Sequence, residues 1–278
     1  MIRRIGCRAH DYGQDTIEAL TLLMADDGYN TSQLALKKAL IDVEDLSHDL
    51  TIDLARHIHS VMSSNHMDVA VLGAYLNYAH PDEDTRERSI QVLAQHLRLA
   101  NGMGARMVGT ETGSLDAAYK AHSDNHGEAG YQRFMEAIQR IMPVADQANT
   151  YMAVEAVTHH VIHTPERMIR FVEDIHHPRL KVIFDINNMM TLDNLNQQEA
   201  MIHQMFDRLE HQIWAVHVKD FDFVDGEKRV VPLGEGLLKL DVLMDRVKKS
   251  SASIDVLAEN IQRDRLHETS IMLASYVG

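Results

Sequence analysis

The chain has 278 residues, 45% of them apolar, and a formal net charge of −14. That size suits one barrel-sized domain or two small ones, and the acidic balance disfavours a nucleic-acid partner, which needs a cationic face to release counterions. The lone cysteine, Cys7, excludes an internal disulfide and fits a reducing cytoplasm, and no apolar run reads as a secretory leader or a membrane span.

Strand-like and helix-like segments alternate along the chain. The apolar run 3–7 (RRIGC) reads as a strand, and 15–28 carries apolar residues at helical spacing. The run 34–40 (LALKKAL) is taken as the second strand, although it suits a helix equally. A helix over 47–62 and a strand over 67–76 follow, then a helix over 86–104 and a strand over 105–110. Residues 111–129 form the longest polar loop, before a helix over 130–149 and a strand over 150–157. The helix over 164–176 has a clear start: Thr164 can cap it, and Pro165 takes the first helical position, where a missing N–H costs nothing. Strands over 180–186, 212–218 and 253–260 enclose helices over 196–212 and 237–250. Eight strands with helices between them predict a parallel sheet closed into a single (β/α)8 barrel over residues 1–278. An open doubly wound sheet usually announces a glycine-rich first turn, and CRAHDYG is not one.

Active sites of such barrels sit where the strands end. The fourth strand ends at Glu111, the fifth at Glu155 and the sixth at Asp185. The seventh ends with His217, Lys219 and Asp220, and the eighth with Glu259. Carboxylates crowded into one pocket cannot all stay ionised without a cation, and Lys219 alone is too little. A divalent metal held by Glu155, Asp185, His217 and Glu259 resolves the problem. Three carboxylates and an imidazole suit Mn2+, Mg2+ or Co2+, and Zn2+ less distinctively. Asn188 can hydrogen-bond a ligand or a substrate hydroxyl, and Glu111 and Lys219 are further substrate-facing groups. His10 and His80 follow the first and third strands and are candidates for the same wall. The pairs His57 and His59, His159 and His160, and His176 and His177 read as structural. Gly234 and Gly236, in VPLGEG before a helix, suggest either a phosphate-binding turn or simply a tight turn.

In order and spacing, GTETGS, VEAVTHHVIHTPERM, VIFDINNMM, AVHVKD, PLGEG and LAEN resemble the xylose-isomerase-like TIM-barrel superfamily over essentially the whole chain. The resemblance implies a one-metal site on Glu155, Asp185, His217 and Glu259, with Glu155 and Glu259 also serving as acid and base. Asn188 stands where some epimerase members have histidine, so a substrate contact copied from that form does not carry over. The nuclease branch needs extra histidines that Asn188 and VKDFDFVDGEK do not supply.

The implied activity is a metal-dependent sugar or sugar phosphate isomerase or epimerase. It would move a proton at a carbon α to a carbonyl, through an enediolate that the metal stabilises. The alternative is a lyase that dehydrates a keto-inositol or related keto-sugar on the same barrel, and less favoured is a non-catalytic sugar-binding protein. The loops 77–85 and 111–129 would set which sugar is taken. The apolar helix faces leave room for a homo-oligomer.

Overall fold

The structure is a computed structural model and describes residues 4–277, so residue 3, in the first expected strand, lies outside the described residues. Eight parallel strands close into a barrel. They are β1 (Ile5–Arg8), β2 (Thr31–Leu34), β3 (Asp68–Gly73), β4 (Ala105–Glu111), β5 (Tyr151–Glu155), β6 (Leu180–Phe184), β7 (Ile213–Val218) and β10 (Asp255–Ala258). Around the barrel the order is β1-β10-β7-β6-β5-β4-β3-β2, so the last strand closes against the first, with Cys7 beside Ala258. The fold is a single (β/α)8 barrel, as the alternation predicts.

The principal helices pack outside it: α1 (Ile17–Asp26), α3 (Ile52–Ser64), α4 (Glu83–Ala100), α5 (Glu128–Gln147), α6 (Pro165–Ile175), α8 (Gln198–Leu209), α9 (Leu240–Lys249) and α10 (Leu266–Val277). Thr164 caps α6 as expected, its hydroxyl accepting from the N–H of Arg167. One large apolar core lies between these helices and the strands. A separate small core fills the barrel interior, from Val71, Met107, Ala153, Ile183, Ala215 and Leu257. The interior leaves no room at Gly109, where a Cβ would meet Val71 Cγ1 at 2.5 Å and Ile183 Cδ1 at 2.7 Å. Beneath this layer Asp255 is buried and takes Arg4 and Arg106, the latter at 2.8 Å. The bottom of the barrel is therefore closed by ion pairs, and the open mouth is at the strands' C-terminal ends.

The second strand is corrected. It is not 34–40 but Thr31–Leu34, and Leu36–Ala39 forms one helical turn, α2. Leu36, Ala39 and Leu40 are buried while Lys37 and Lys38 are exposed, which is a helical face. The true strand is TSQL, buried on both faces although three of its four residues are polar. An apolar-run criterion passes over it.

The structure adds α10, a short turn α7 (Ile186–Met189) and an antiparallel hairpin to the elements expected from periodicity. That hairpin, β8 (Asp220–Val224) with β9 (Glu227–Val231), rises from the mouth after β7. Its turn is Asp225–Gly226, both residues with positive φ, a pattern that joins twisted antiparallel strands. Among the described residues no helix is long and apolar enough to cross a membrane.

Candidate metal centre

Four strands deliver the expected residues to one point. Glu155 is the last residue of β5 and His217 lies in β7, while Asp185 and Glu259 directly follow β6 and β10. All four are buried, and each offers one donor atom within 4.8 Å of the others. His217 Nδ1 lies 2.8 Å from Glu259 Oε2, 3.1 Å from Glu155 Oε1 and 3.7 Å from Asp185 Oδ2. Asp185 also starts α7, its Oδ1 accepting from the N–H of Asn188 at 3.0 Å. One carboxylate oxygen is thus spent on the backbone and the other is aimed at the cluster.

The opposite edge of the His217 ring is fixed by a residue absent from the sequence-based expectation. Gln33, in β2, donates from Nε2 to the Tyr75 hydroxyl at 2.8 Å. Its Oε1 therefore faces His217 Nε2, at 2.6 Å, and accepts a hydrogen bond from that nitrogen's N–H. This leaves Nδ1 facing the three carboxylates, as the ring atom that could serve a metal ion. Arg8, at the end of β1, is a second addition. It pairs with Asp11 and Asn260 and reaches Glu259 Oε1 at 2.9 Å. Gln33 lies outside the expected second strand, and neither Gln33 nor Arg8 is found by a search of strand ends for carboxylates and histidines.

The electrostatics match a cation-binding centre. Lys219 Nζ lies 2.8 Å from Asp185 Oδ2 and 3.2 Å from Glu259 Oε1. Burial opposes the charged form of Glu259, but Lys219 and His217, with Arg8, outweigh it and hold this carboxyl well below its usual range. Asp185 is also lowered, Lys219 again outweighing burial. Burial pushes Glu155 up to about 7, with His217 opposing and Glu259 and Asp185 adding to the rise. Burial works against an imidazolium at His217, but Glu155 and Glu259 overcome it and raise this ring well above its ordinary value.

The donor set fits a divalent ion. Asp185 Oδ2 and Glu259 Oε2 are buried and are met by charged donors alone, Lys219 Nζ and His217 Nδ1, each at 2.8 Å. Three buried carboxylates converge on one imidazole, and once His217 gives up its proton Lys219 and Arg8 do not balance them, so a divalent cation fits the place where the four donor atoms meet.

The other candidates divide. Asn188 Nδ2 donates to Glu155 Oε1 at 2.6 Å and so borders the centre. Glu111, in register with Glu155 on the neighbouring strand, accepts from the Tyr119 hydroxyl at 3.0 Å. His10 is partly buried near Arg8 and Lys38, and burial with those charges lowers it to about 4. His80 is not brought into the cluster. Its Nδ1 accepts from the N–H of Asp82 at 3.0 Å, at the start of α4. His160, read as structural, is buried and lies 3.6 Å from Glu111 Oε2.

Gly234 and Gly236 form a tight turn rather than an open phosphate cradle. Their N–H groups donate to Asp220 Oδ2 at 2.9 and 3.0 Å, while Asp220 Oδ1 takes Phe221 and Leu238. A buried carboxylate already fills the place an anion would take.

Known proteins share this arrangement at the level of fold. A solved D-tagatose 3-epimerase-like protein superposes with a TM-score of 0.77 at 16% identity, covering 99% of this chain and 97% of that one. The probable 3-DHS dehydratase of petrobactin synthesis in Bacillus anthracis gives 0.74 at 15% identity, covering 98% of each chain. A curated protein of Escherichia coli strain K12, named as an unproven L-ribulose-5-phosphate 3-epimerase, is 27% identical over 159 residues, 56% of this chain and 51% of its own. The chain is thus matched over about half the length of that relative. The family described as xylose isomerase-like TIM barrel matches residues 9–272. With that match over nearly the whole barrel, the chain belongs to the xylose isomerase-like TIM barrel family.

Proposed function

We propose that the chain, working as one domain over residues 1–278, is a divalent-metal-dependent sugar or sugar phosphate epimerase or isomerase. The observation that carries this reading is the meeting of Glu155, Asp185, His217 and Glu259, all buried, with one donor atom of each within 4.8 Å of the others. These four would hold the ion, which when bound supplies Lewis-acid stabilisation of charge developing on substrate oxygens. Glu155 and Glu259 reach the same point from opposite sides of β7 in the barrel order. One of them removes the proton α to the substrate carbonyl. The same residue or its partner returns a proton, to the neighbouring carbon for isomerisation or to the opposite face for epimerisation. Lys219 keeps a positive charge beside Glu259 and Asp185, and Asn188 fixes Glu155 Oε1. The fold likeness to sugar epimerases and the partial match to the E. coli relative support a small sugar as substrate.

The test is solvent exchange. Protein loaded with Mn2+ is incubated with ketoses in D2O, and loss of the α-proton signal is followed by NMR. The reading expects exchange in the wild type and a loss of roughly 10²–10⁴-fold in Glu155→Gln and Glu259→Gln. No exchange with any ketose or ketose phosphate would overturn it. Release of water with an unsaturated product would move the assignment to dehydration, the second reading, which the likeness to a dehydratase barrel favours.

A further inference from the structure

Beside the metal centre, on the β4 side, stand three polar residues that the proposed chemistry does not use. Glu111 Oε2 accepts from the Tyr119 hydroxyl and lies 3.6 Å from His160 Nδ1. Its Oε1 accepts no hydrogen bond among the described residues, and the side chain is 27% exposed. His160 is 1% exposed, and neither of its ring nitrogens has a hydrogen-bond partner. Its ring packs on that of Tyr119 with centroids 4.7 Å apart. Burial lowers its pKa to about 3, so the ring is neutral at pH 7.

The wall is built rather than incidental. Tyr119 holds φ 62°, a left-handed conformation costly for a tyrosine, and thereby brings its hydroxyl to Glu111. Buried Asn125 anchors the loop, accepting from Leu115 N–H at 2.8 Å and donating to Ser114 Oγ at 2.9 Å and His159 O at 2.7 Å. Glu111, Tyr119 and His160 supply a carboxylate, a phenol and a neutral imidazole, with no cation among them. The cations whose fields reach Glu111 include Lys219, committed to Asp185 and Glu259, and Lys38, exposed at the rim.

We propose that Glu111, held by Tyr119 and backed by His160, is a specificity subsite that takes a neutral hydroxyl of the substrate beyond the reacting carbons and selects an unphosphorylated polyol at that end. A hydroxyl can donate to Oε1 while Tyr119 keeps Oε2, a charge-assisted bond of the strong kind. A phosphate there would set two anions together, which discriminates by repulsion. The inference rests on the epimerase reading only for which substrate atoms face the metal.

Xylitol is the probe, titrated into the Mg2+-supplemented protein while the His160 imidazole signals are followed by NMR. A saturable shift in the millimolar range is expected. Binding should weaken about tenfold in Glu111→Ala and by a smaller factor in the near-isosteric Glu111→Gln and in Tyr119→Phe. Inorganic phosphate and glycerol 3-phosphate should neither shift the signals nor compete. Absence of a xylitol shift, unchanged affinity in both Glu111 variants, or competition by either phosphate would overturn the proposal. Exchange of a ketose α proton without xylitol binding removes the subsite and leaves the epimerase reading. Xylitol binding without exchange does the reverse.

Discussion

Gln33 Oε1 lies 2.6 Å from His217 Nε2 and thereby decides which edge of the imidazole meets the three carboxylates. Replacing Gln33 by Leu removes the acceptor, so both ring nitrogens lose their assignment. Mn2+ affinity should fall about 10–100-fold in Gln33→Leu. Gln33→Glu keeps an acceptor at that place and should stay much closer to wild type. Calorimetric titration of both variants measures this, and equal affinity in wild type and Gln33→Leu would contradict it.

Metal binding should release protons. The metal-free protein holds Glu155 at about 7 and His217 well above its ordinary value, so both carry protons over part of the neutral range. An ion needs the unprotonated form of each. Because both values are raised, protons compete with the metal at low pH, and apparent affinity rises with pH through about 7 and above. Asp185 and Glu259 are lowered and add no competition there. Titrations at pH 7 in buffers of different ionisation enthalpy report the protons released. A buffer-independent heat would sink this account.

Asp220 should act on stability rather than on phosphate binding. Its carboxylate accepts four backbone N–H groups, from Phe221, Gly234, Gly236 and Leu238. Asp220→Ala leaves those donors unpaired and should cost about 2–3 kcal/mol. Asp220→Asn retains one acceptor oxygen and should lose less. Urea unfolding gives the difference, and a neutral Asp220→Ala would show that the turn needs no anchor.

Gly109 tests the barrel filling. Adding a methyl group brings Cβ to 2.5 Å from Val71 and 2.7 Å from Ile183. Both neighbours are branched and packed in the interior, so Gly109→Ala should cost about 1–3 kcal/mol through overpacking. An unchanged thermal midpoint would mean that the interior yields more readily than a packed core does.

Much of this was legible in the sequence because the barrel converts chain order into spatial order. Once Glu155, Asp185, His217 and Glu259 are placed at successive strand ends, their meeting follows from closure alone. The rest depends on features that periodicity does not carry. TSQL is mostly polar yet buried on both faces, so neither this strand nor Gln33 stands out in the sequence. Tyr119 reaches Glu111 from a loop through a left-handed residue, which no spacing rule marks. His160 reads as structural in the sequence, and its buried ring packs on Tyr119, a neighbour that spacing does not reveal. The glycines of VPLGEG fit a phosphate-binding turn or a tight turn in the sequence, and the structure shows the tight turn, with Asp220 using their N–H groups.

The most direct test of the central claim is titration of metal-stripped protein with Mn2+, alongside Asp185→Ala. The account predicts one ion per chain in the wild type and its loss in the variant, with the variant still folded by circular dichroism. No saturable binding of Mn2+, Mg2+, Co2+ or Zn2+ to the wild type, or full retention of binding in Asp185→Ala, would contradict a metal centre built on these four residues.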